Sequence, residues 1–252
     1  MGNITPMVKQ LIIINVIFFF GSMLVEQANP LFALFYFENP NFQIWQPLTS
    51  MFMHGGFMHI LFNMFALFSF GSTLEQIWGG KKFLIFYILC GLGASALHLG
   101  VNYYTFHQGM DTLVLNGFTA ESIYSGLNQG YGFGDKNWLN FISNDTLASM
   151  MDAYHIPAVG ASGAIYGLLV AFAFMFPNAG LMLMFIPFPI KAKYFVPGIL
   201  LLDLYLGVTG GGAIFGGSTG IAHFAHIGGA LMGILLMYYF KKTQFNKNRW
   251  DR

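Results

Sequence analysis

Apolar residues form long blocks along this chain, separated by short polar segments and by one long polar segment. Six blocks approach the roughly 20 residues that a helix needs to cross a bilayer, and each predicts a membrane-spanning helix. The blocks lie near residues 8–26, 57–75, 83–104, 160–176, 194–208 and 224–240. The fifth is the least regular, because Pro197 and Asp203 interrupt it. The pattern therefore predicts an all-α protein, a polytopic bundle of six transmembrane helices.

Two connections between these blocks are informative. The longest, at about 105–157 and here called the outer connection, joins the third and fourth predicted spans. Within it, apolar residues recur at roughly helical spacing from Trp138 to Tyr154, which predicts a short interfacial helix. The segment Gly207–Gly220 holds seven glycines in fourteen residues and predicts a mobile loop before the last span. Because there is no internal repeat, we expect residues 1–252 to form a single membrane domain.

The composition agrees with a membrane protein. Hydrophobic residues make up 56% of the 252 residues and charged residues only 8%, against about 25% charged residues in a typical soluble domain. We interpret the first block as a retained span, because no convincing small-x-small cleavage site of a signal peptide follows it. The single cysteine, Cys90, leaves no disulfide within the chain and no thiolate metal cluster.

The charges are distributed unevenly across the predicted membrane. Of the eleven lysines and arginines, only Lys136 lies on one side of the six-span arrangement, and the others flank the opposite side. The positive-inside rule makes that second side cytoplasmic and predicts that both termini are cytoplasmic. The net charge of +1 therefore hides an asymmetry across a lipid bilayer, and it does not indicate a nucleic-acid partner.

Several polar side chains lie in the predicted spans, where they are costly and therefore candidates for function. Ser162 and His226 each lie fifteen residues from the inner end of a span, and His59 lies seventeen residues from such an end. These three residues are therefore expected at nearly the same depth. His59 and Asn63 are four residues apart and share one face of their helix.

Two pairs of glycines predict how the fourth and sixth spans meet. Gly163 and Gly167 are spaced four residues apart, as are Gly229 and Gly233. Such small-xxx-small pairs let helix backbones approach closely in lipid. We expect this packing to bring the serine hydroxyl within about 2.6–3.2 Å of the histidine, the reach of a nucleophile and its base.

A metal site is the alternative use of the histidines. The set His59, Asn63, His223 and His226 lacks the His-Glu-x-x-His pattern of zinc proteases, and no carboxylate is near it in sequence. We therefore predict no metal and no cofactor. Asp203 is expected close to the outer face, because the glycine-rich segment begins four residues later; a proton-relay acid of a transporter is the other interpretation.

Three segments in a fixed order resemble the rhomboid intramembrane serine proteases. They are His59-Ile-Leu-Phe-Asn63, Gly160-Ala-Ser162-Gly163 and Ala225-His226-Ile-Gly-Gly229, within a match from about Trp45 to Phe240. The resemblance implies a catalytic dyad without an aspartate, which maps to Ser162 and His226. It also implies oxyanion donors, which map to the Ser162 backbone N–H and the side chains of His59 and Asn63.

The resemblance assigns supporting roles to further residues. Tyr166 is similar to the family's aromatic residue that supports the base, and His54, Gly163 and Gly229 lie in the matched motifs. Glu75 matches an acidic residue common at the inner end of the second span. The chain departs from the family at Trp45-Gln46, where many rhomboids carry Trp-Arg, so the arginine that would anchor the first outer loop is absent. Its outer connection is also longer than in compact bacterial relatives.

What the resemblance implies about function is specific. The expected activity is hydrolysis of peptide bonds in or near transmembrane segments by a serine endopeptidase, with transmembrane protein substrates and the lipid bilayer as partners. The expected location is the bacterial inner (plasma) membrane. The alternatives are a non-catalytic rhomboid-like protein that binds transmembrane clients, and a transporter. A pseudoenzyme typically loses the serine or the histidine, and a transporter more often shows paired ionisable residues or repeated halves.

Overall fold

The computed structural model describes residues 3–130, 135–181, 188–209 and 222–243. In these ranges the chain forms ten α-helices: α1 (Pro6–Leu24), α2 (Ala28–Phe32), α3 (Gln46–Thr49), α4 (Phe57–Trp78), α5 (Gly80–Leu115), α6 (Ala120–Leu127), α7 (Asn144–His155), α8 (Ser162–Met175), α9 (Ala192–Thr209) and α10 (His223–Thr243). Two short 3-10 helices cover Ser50–Phe52 and Lys136–Asn140. Strands β1 (Gly180–Leu181) and β2 (Ile190–Lys191) pair antiparallel.

The six predicted spans correspond to six helices. Five of them, α1, α4, α5, α9 and α10, are long and apolar enough to cross a membrane. The sixth, α8, is apolar but has only 14 residues, about 21 Å at about 1.5 Å per residue, so it is shorter than the roughly 30 Å hydrocarbon core. The all-α membrane bundle is confirmed. Most of the predicted mobile loop Gly207–Gly220 lies outside the described residues.

Helix α5 extends beyond the membrane-spanning length. It has 36 residues, about 54 Å at about 1.5 Å per residue, whereas the sequence pattern ended this span near residue 104. The outer connection therefore begins as a continuous helix. The reason is an amphipathic pattern: Phe106, Met110 and Leu113 are buried and recur at helical spacing on one face.

The outer connection has a hydrophobic core of its own. Helices α6 and α7 pack their apolar faces on the extension of α5, together with Tyr36 and Trp138. Gly109 lets α7 approach closely, because a β-carbon at that position would lie 2.7 Å from Met150 Sδ. Helix α7 matches the predicted helix near Trp138–Tyr154, and helix α6 was not predicted. A second folded layer thus stands on one end of the bundle.

Glu75 joins the start of α1 to the end of α4. Its carboxylate is buried and accepts hydrogen bonds from the backbone N–H groups of Met7 and Val8, both at 2.9 Å, and from the Thr5 hydroxyl. An anion at a helix N-terminus is stabilised by the free N–H groups and the helix dipole. The two ends therefore lie on the same side of the bundle.

Gln46 anchors the loop between α1 and α4. Its side chain is fully buried, and its Nε2 donates to the carbonyl oxygens of Pro30 at 3.0 Å and Asn41 at 2.8 Å. Its Oε1 accepts from the backbone N–H of Phe35 at 3.2 Å. A neutral amide thus holds the loop at the position where many rhomboids carry arginine.

Candidate active site

Ser162 is the first residue of α8, and the chain reaches it through a turn that requires glycine. Gly160 has a φ of +129°, which side chains rarely allow, and its N–H donates to the Ser50 carbonyl oxygen at 2.9 Å. The first N–H groups of a helix have no intrahelical acceptor. The serine therefore stands where donors for a negatively charged oxygen are concentrated.

The structure brings Ser162 and His226 into hydrogen-bond contact. The distance from Ser162 Oγ to His226 Nε2 is 2.8 Å. The imidazole ring stacks on Tyr166, with ring centroids 4.2 Å apart and planes 12° apart. Tyr166 lies one turn after Ser162 in α8, so a single helix presents the hydroxyl group and the ring that supports the imidazole.

Close packing of α8 with α5 and α10 produces this approach. A β-carbon on Gly163 would lie 2.4 Å from Ala94 Cβ and 3.3 Å from the Ala225 carbonyl oxygen. One turn further along, a β-carbon on Gly233 would lie 2.9 Å from Gly167 Cα. The glycine pairs of the sequence thus lie at the contact between the fourth and sixth spans, and they bring the two backbones near enough for short side chains to meet.

His59 lies beside the serine with a defined donor. Its Nδ1 accepts from the Gly55 backbone N–H at 3.3 Å, so in the neutral ring the proton is on Nε2. A β-carbon on Gly160 would lie 2.9 Å from His59 Nε2 and 3.5 Å from Ser162 Oγ. The His59 donor and the Ser162 hydroxyl therefore border one small space that a side chain on residue 160 would fill.

Asn63 lies one turn after His59 and is buried. Its Nδ2 donates to the His59 carbonyl oxygen at 2.9 Å, which uses one of its N–H groups. An amide nitrogen carries two N–H groups, and the second is the one that a nearby anion would use. Asn63 thus lies one turn from His59, as the sequence predicts, and one N–H of its amide is bonded within its own helix.

His54 packs edge-on against His59, with ring centroids 5.0 Å apart. Burial first, and then the nearby His59 ring, lower the pKa of His54 to about 4. At neutral pH His54 is therefore uncharged, and it places no positive charge beside His59.

Asp203 is the residue whose contact with the histidines the sequence did not predict. Its side chain is buried between α9 and α10, and its expected position close to the outer face stays a prediction. Its Oδ1 lies 2.6 Å from His223 Nδ1 and 3.2 Å from His226 Nδ1. The Tyr166 hydroxyl group interacts with the same carboxylate. The available signal was the acid itself, since a carboxylate within an apolar span is by default functional.

Among the described residues, Asp203, His223 and His226 form a group that could hold a metal ion. The ligand atoms of Asp203, His223 and His226 lie within 4.8 Å of one another. No carboxylate is near these histidines in sequence, but α9 brings Asp203 to them in the folded chain. The hydrogen bonds among these groups account for their arrangement, and the absence of a metal cofactor stays a prediction.

Comparison with known proteins identifies the family to which this chain belongs. The family described as the Rhomboid domain matches residues 41–243. The chain belongs to the rhomboid family, and it is an integral membrane protein with a rhomboid-like helical bundle.

Individual relatives agree with this assignment. Rhomboid protein 1, mitochondrial, of Saccharomyces cerevisiae is 26% identical over 196 residues, covering 78% of this chain and 42% of that protein. Rhomboid protease AarA of Providencia stuartii is 27% identical over 203 residues, covering 76% of this chain and 54% of that protein. Rhomboid protease GluP of Bacillus subtilis is 37% identical over 51 residues, covering 20% of this chain and 10% of that protein. The chain thus spans about half the length of the first two relatives.

Proposed function

We propose that this chain is an intramembrane serine endopeptidase in which Ser162 is the nucleophile and His226 is the base. The observation that carries the proposal is the 2.8 Å contact between Ser162 Oγ and His226 Nε2. The contact is formed inside a helical bundle of a family whose relatives include named rhomboid proteases.

The reaction proceeds in two halves. Ser162 Oγ attacks the carbonyl carbon of the scissile peptide while His226 Nε2 accepts the hydroxyl proton. The tetrahedral intermediate collapses, His226 returns the proton to the leaving amine, and an acyl-enzyme remains. Water then attacks the ester carbon with His226 as base again, and the second collapse releases the carboxylic acid and restores the serine hydroxyl.

Three hydrogen-bond donors would stabilise the negative charge that develops on the carbonyl oxygen. These are the Ser162 backbone N–H at the start of α8, the His59 Nε2–H, and the second N–H of the Asn63 amide. Loss of one such donor typically costs about 2.7–4 kcal/mol of transition-state stabilisation. The space beside Gly160, between His59 Nε2 and Ser162 Oγ, is where this oxygen would lie.

The substrates that suit this site are transmembrane proteins. Ser162 and His226 lie at the starts of membrane helices, so water reaches them from one side of the bilayer only. A substrate helix must unwind locally, because its carbonyl oxygens are already bonded within the helix. The distribution of lysine and arginine supports cytoplasmic termini and a site open to the outside, in what we propose is a bacterial plasma membrane.

The test is cleavage by the purified full chain in liposomes containing a reporter with one transmembrane segment. We expect the wild type to cleave the reporter, and Ser162→Ala and His226→Ala to be inactive with unchanged unfolding temperatures. The double variant should be no slower than either single variant, because the two residues act as a unit. Cleavage by Ser162→Ala at the wild-type rate would contradict the proposal, and a wild type that only binds the reporter would favour the non-catalytic alternative.

A further inference from the structure

We propose that Asp203 is a positioning residue for His226 and completes a Ser162–His226–Asp203 triad in this chain. The inference rests on the proposed function, and it departs from the aspartate-free dyad that the family resemblance implies. It assigns a role to the buried acid that interrupts the fifth span.

Both ring nitrogens of His226 have a partner. His226 Nε2 lies 2.8 Å from Ser162 Oγ, and His226 Nδ1, on the other side of the ring, lies 3.2 Å from Asp203 Oδ1. An ionised carboxylate can only accept hydrogen bonds, so Nδ1 is the donor in this pair. The neutral ring then has a bare Nε2, which is the tautomer that can accept the serine proton.

The Asp203 carboxylate is itself held in place by other side chains. His223 Nδ1 lies 2.6 Å from Asp203 Oδ1, and the Tyr166 hydroxyl interacts with the same side chain. Asp203 is 6% exposed, so its orientation is set by these protein partners. A buried acceptor that is held by several donors keeps one position, and it can therefore hold the imidazole in one orientation.

Helix α9 approaches α10 closely beside Asp203. A β-carbon on Gly207 would lie 3.1 Å from Phe224 Cε2 and 3.2 Å from His223 Cβ. Gly207 is four residues after Asp203 and therefore shares its helix face. The glycine lets the helices approach until the short aspartate side chain reaches the imidazole.

No other described contact of His226 has the same effect. The stack on Tyr166 fixes the plane of the ring but leaves both tautomers possible, and the ring of His223 lies 6.4 Å away, perpendicular to it. The aspartate also stabilises the imidazolium that forms when the serine proton moves to Nε2. We therefore expect Asp203 to affect kcat more than substrate binding.

The test compares Asp203→Asn and Asp203→Ala with the wild type in the liposome assay. Asn keeps the shape of the side chain but allows the wrong histidine tautomer. We expect kcat to fall at least about tenfold in both variants, towards the roughly 10⁴-fold loss that follows removal of the aspartate in Ser-His-Asp enzymes, while KM changes less than about threefold. The matched control is Asp111→Asn, the same change at an exposed position of α5, which should leave kcat unchanged.

A second readout separates positioning from a merely structural role. Formate added to Asp203→Ala supplies a carboxylate that can accept from His226 Nδ1, and we expect it to restore part of kcat in a saturable way. Formate should not restore Asp203→Asn, where the amide still occupies the space. A fall in kcat that tracks a lower unfolding temperature and shows no rescue would overturn the proposal, since Asp203 would then only hold α9 in place.

The outcomes distinguish the two proposals. If Ser162→Ala is inactive and both Asp203 variants keep the wild-type kcat, the triad is wrong and the Ser-His dyad stands. If Ser162→Ala cleaves like the wild type, the proposed function fails, and the role of Asp203 fails with it. A rise in KM at constant kcat would also overturn the triad, because it would place Asp203 in substrate binding.

Discussion

A β-carbon placed on Gly229 would lie 1.8 Å from the carbonyl oxygen of Gly163, the residue that follows the candidate nucleophile. Helices α8 and α10 are thus in direct backbone contact one turn below the Ser162–His226 pair. In lipid, such contacts replace the hydrophobic effect as the force that joins helices. The 2.8 Å distance between Ser162 Oγ and His226 Nε2 therefore depends on a residue without a side chain.

The substitution Gly229→Ala should separate α8 from α10. A methyl group cannot fit at that distance from a backbone atom, so we expect at least about a tenfold loss of cleavage and a lower unfolding temperature. Reporter cleavage and thermal unfolding in detergent would measure both effects. The control is Gly100→Ala on α5, where a β-carbon meets nothing within 4 Å; equal behaviour of the two variants would refute the role of the close contact.

The substitution Gly160→Ala should damage the space beside the serine. The residue has a φ of +129° and its β-carbon would lie 2.9 Å from His59 Nε2, so the change both strains the turn and displaces the donor. We expect kcat to fall by about 10- to 1,000-fold, the range for loss of an oxyanion donor. Gly56→Ala, whose β-carbon meets nothing within 4 Å, is the matched control. Normal turnover in Gly160→Ala would mean that the carbonyl oxygen binds elsewhere.

His59→Ala and Asn63→Ala should each lower kcat by roughly 10- to 1,000-fold with a smaller effect on KM. His59 presents its Nε2 donor towards the serine, and Asn63 offers one remaining N–H, because the other is bonded to the His59 carbonyl oxygen. Steady-state kinetics on the reporter would separate the two parameters. Loss of affinity alone in both variants would make these residues part of a substrate-binding surface.

His54 should make the folded protein less stable as the pH falls. Burial lowers the pKa of His54 from 6.5 to about 4, so between these values the unfolded chain binds a proton and the folded chain does not. The contribution of His54 to the free energy of unfolding is fully present above about pH 6.5. It is lost progressively towards pH 4, by at most about 1.4 kcal/mol per pH unit. Unfolding temperatures of the wild type and His54→Gln between pH 7.5 and 4.5 test this, and identical slopes would show that His54 contributes nothing.

The positions of the spans and of the Ser-His pair could be predicted because both depend on local pattern. Apolar blocks of spanning length define the helices, and the distances of Ser162 and His226 from their span ends are equal. Gly163 and Gly229 then indicated which helices meet. These steps use the helix period, the bilayer thickness and the spacing of small residues, and the family resemblance adds the catalytic roles of Ser162 and His226.

Asp203 and the outer layer could not be predicted in the same way. The contact of Asp203 with His226 joins residues 23 positions apart on different helices, and it depends on how α9 is rotated in the bundle. The outer connection was polar on average, so the buried face formed by Phe106, Met110 and Leu113 was read as part of a loop. This face is buried because α6 and α7 pack on it. The pattern of one helix does not show which other helices will cover it.

The central claim is that His226 activates Ser162 as a nucleophile. Mass spectrometry after treatment of the full chain with a fluorophosphonate tests it most directly, because this small reagent reports serine activation without a substrate helix. We expect one adduct, located on Ser162 in the wild type, and almost none in His226→Ala, where the serine is still present. An adduct on a different serine, or equal labelling of Ser162 in His226→Ala, would contradict the account.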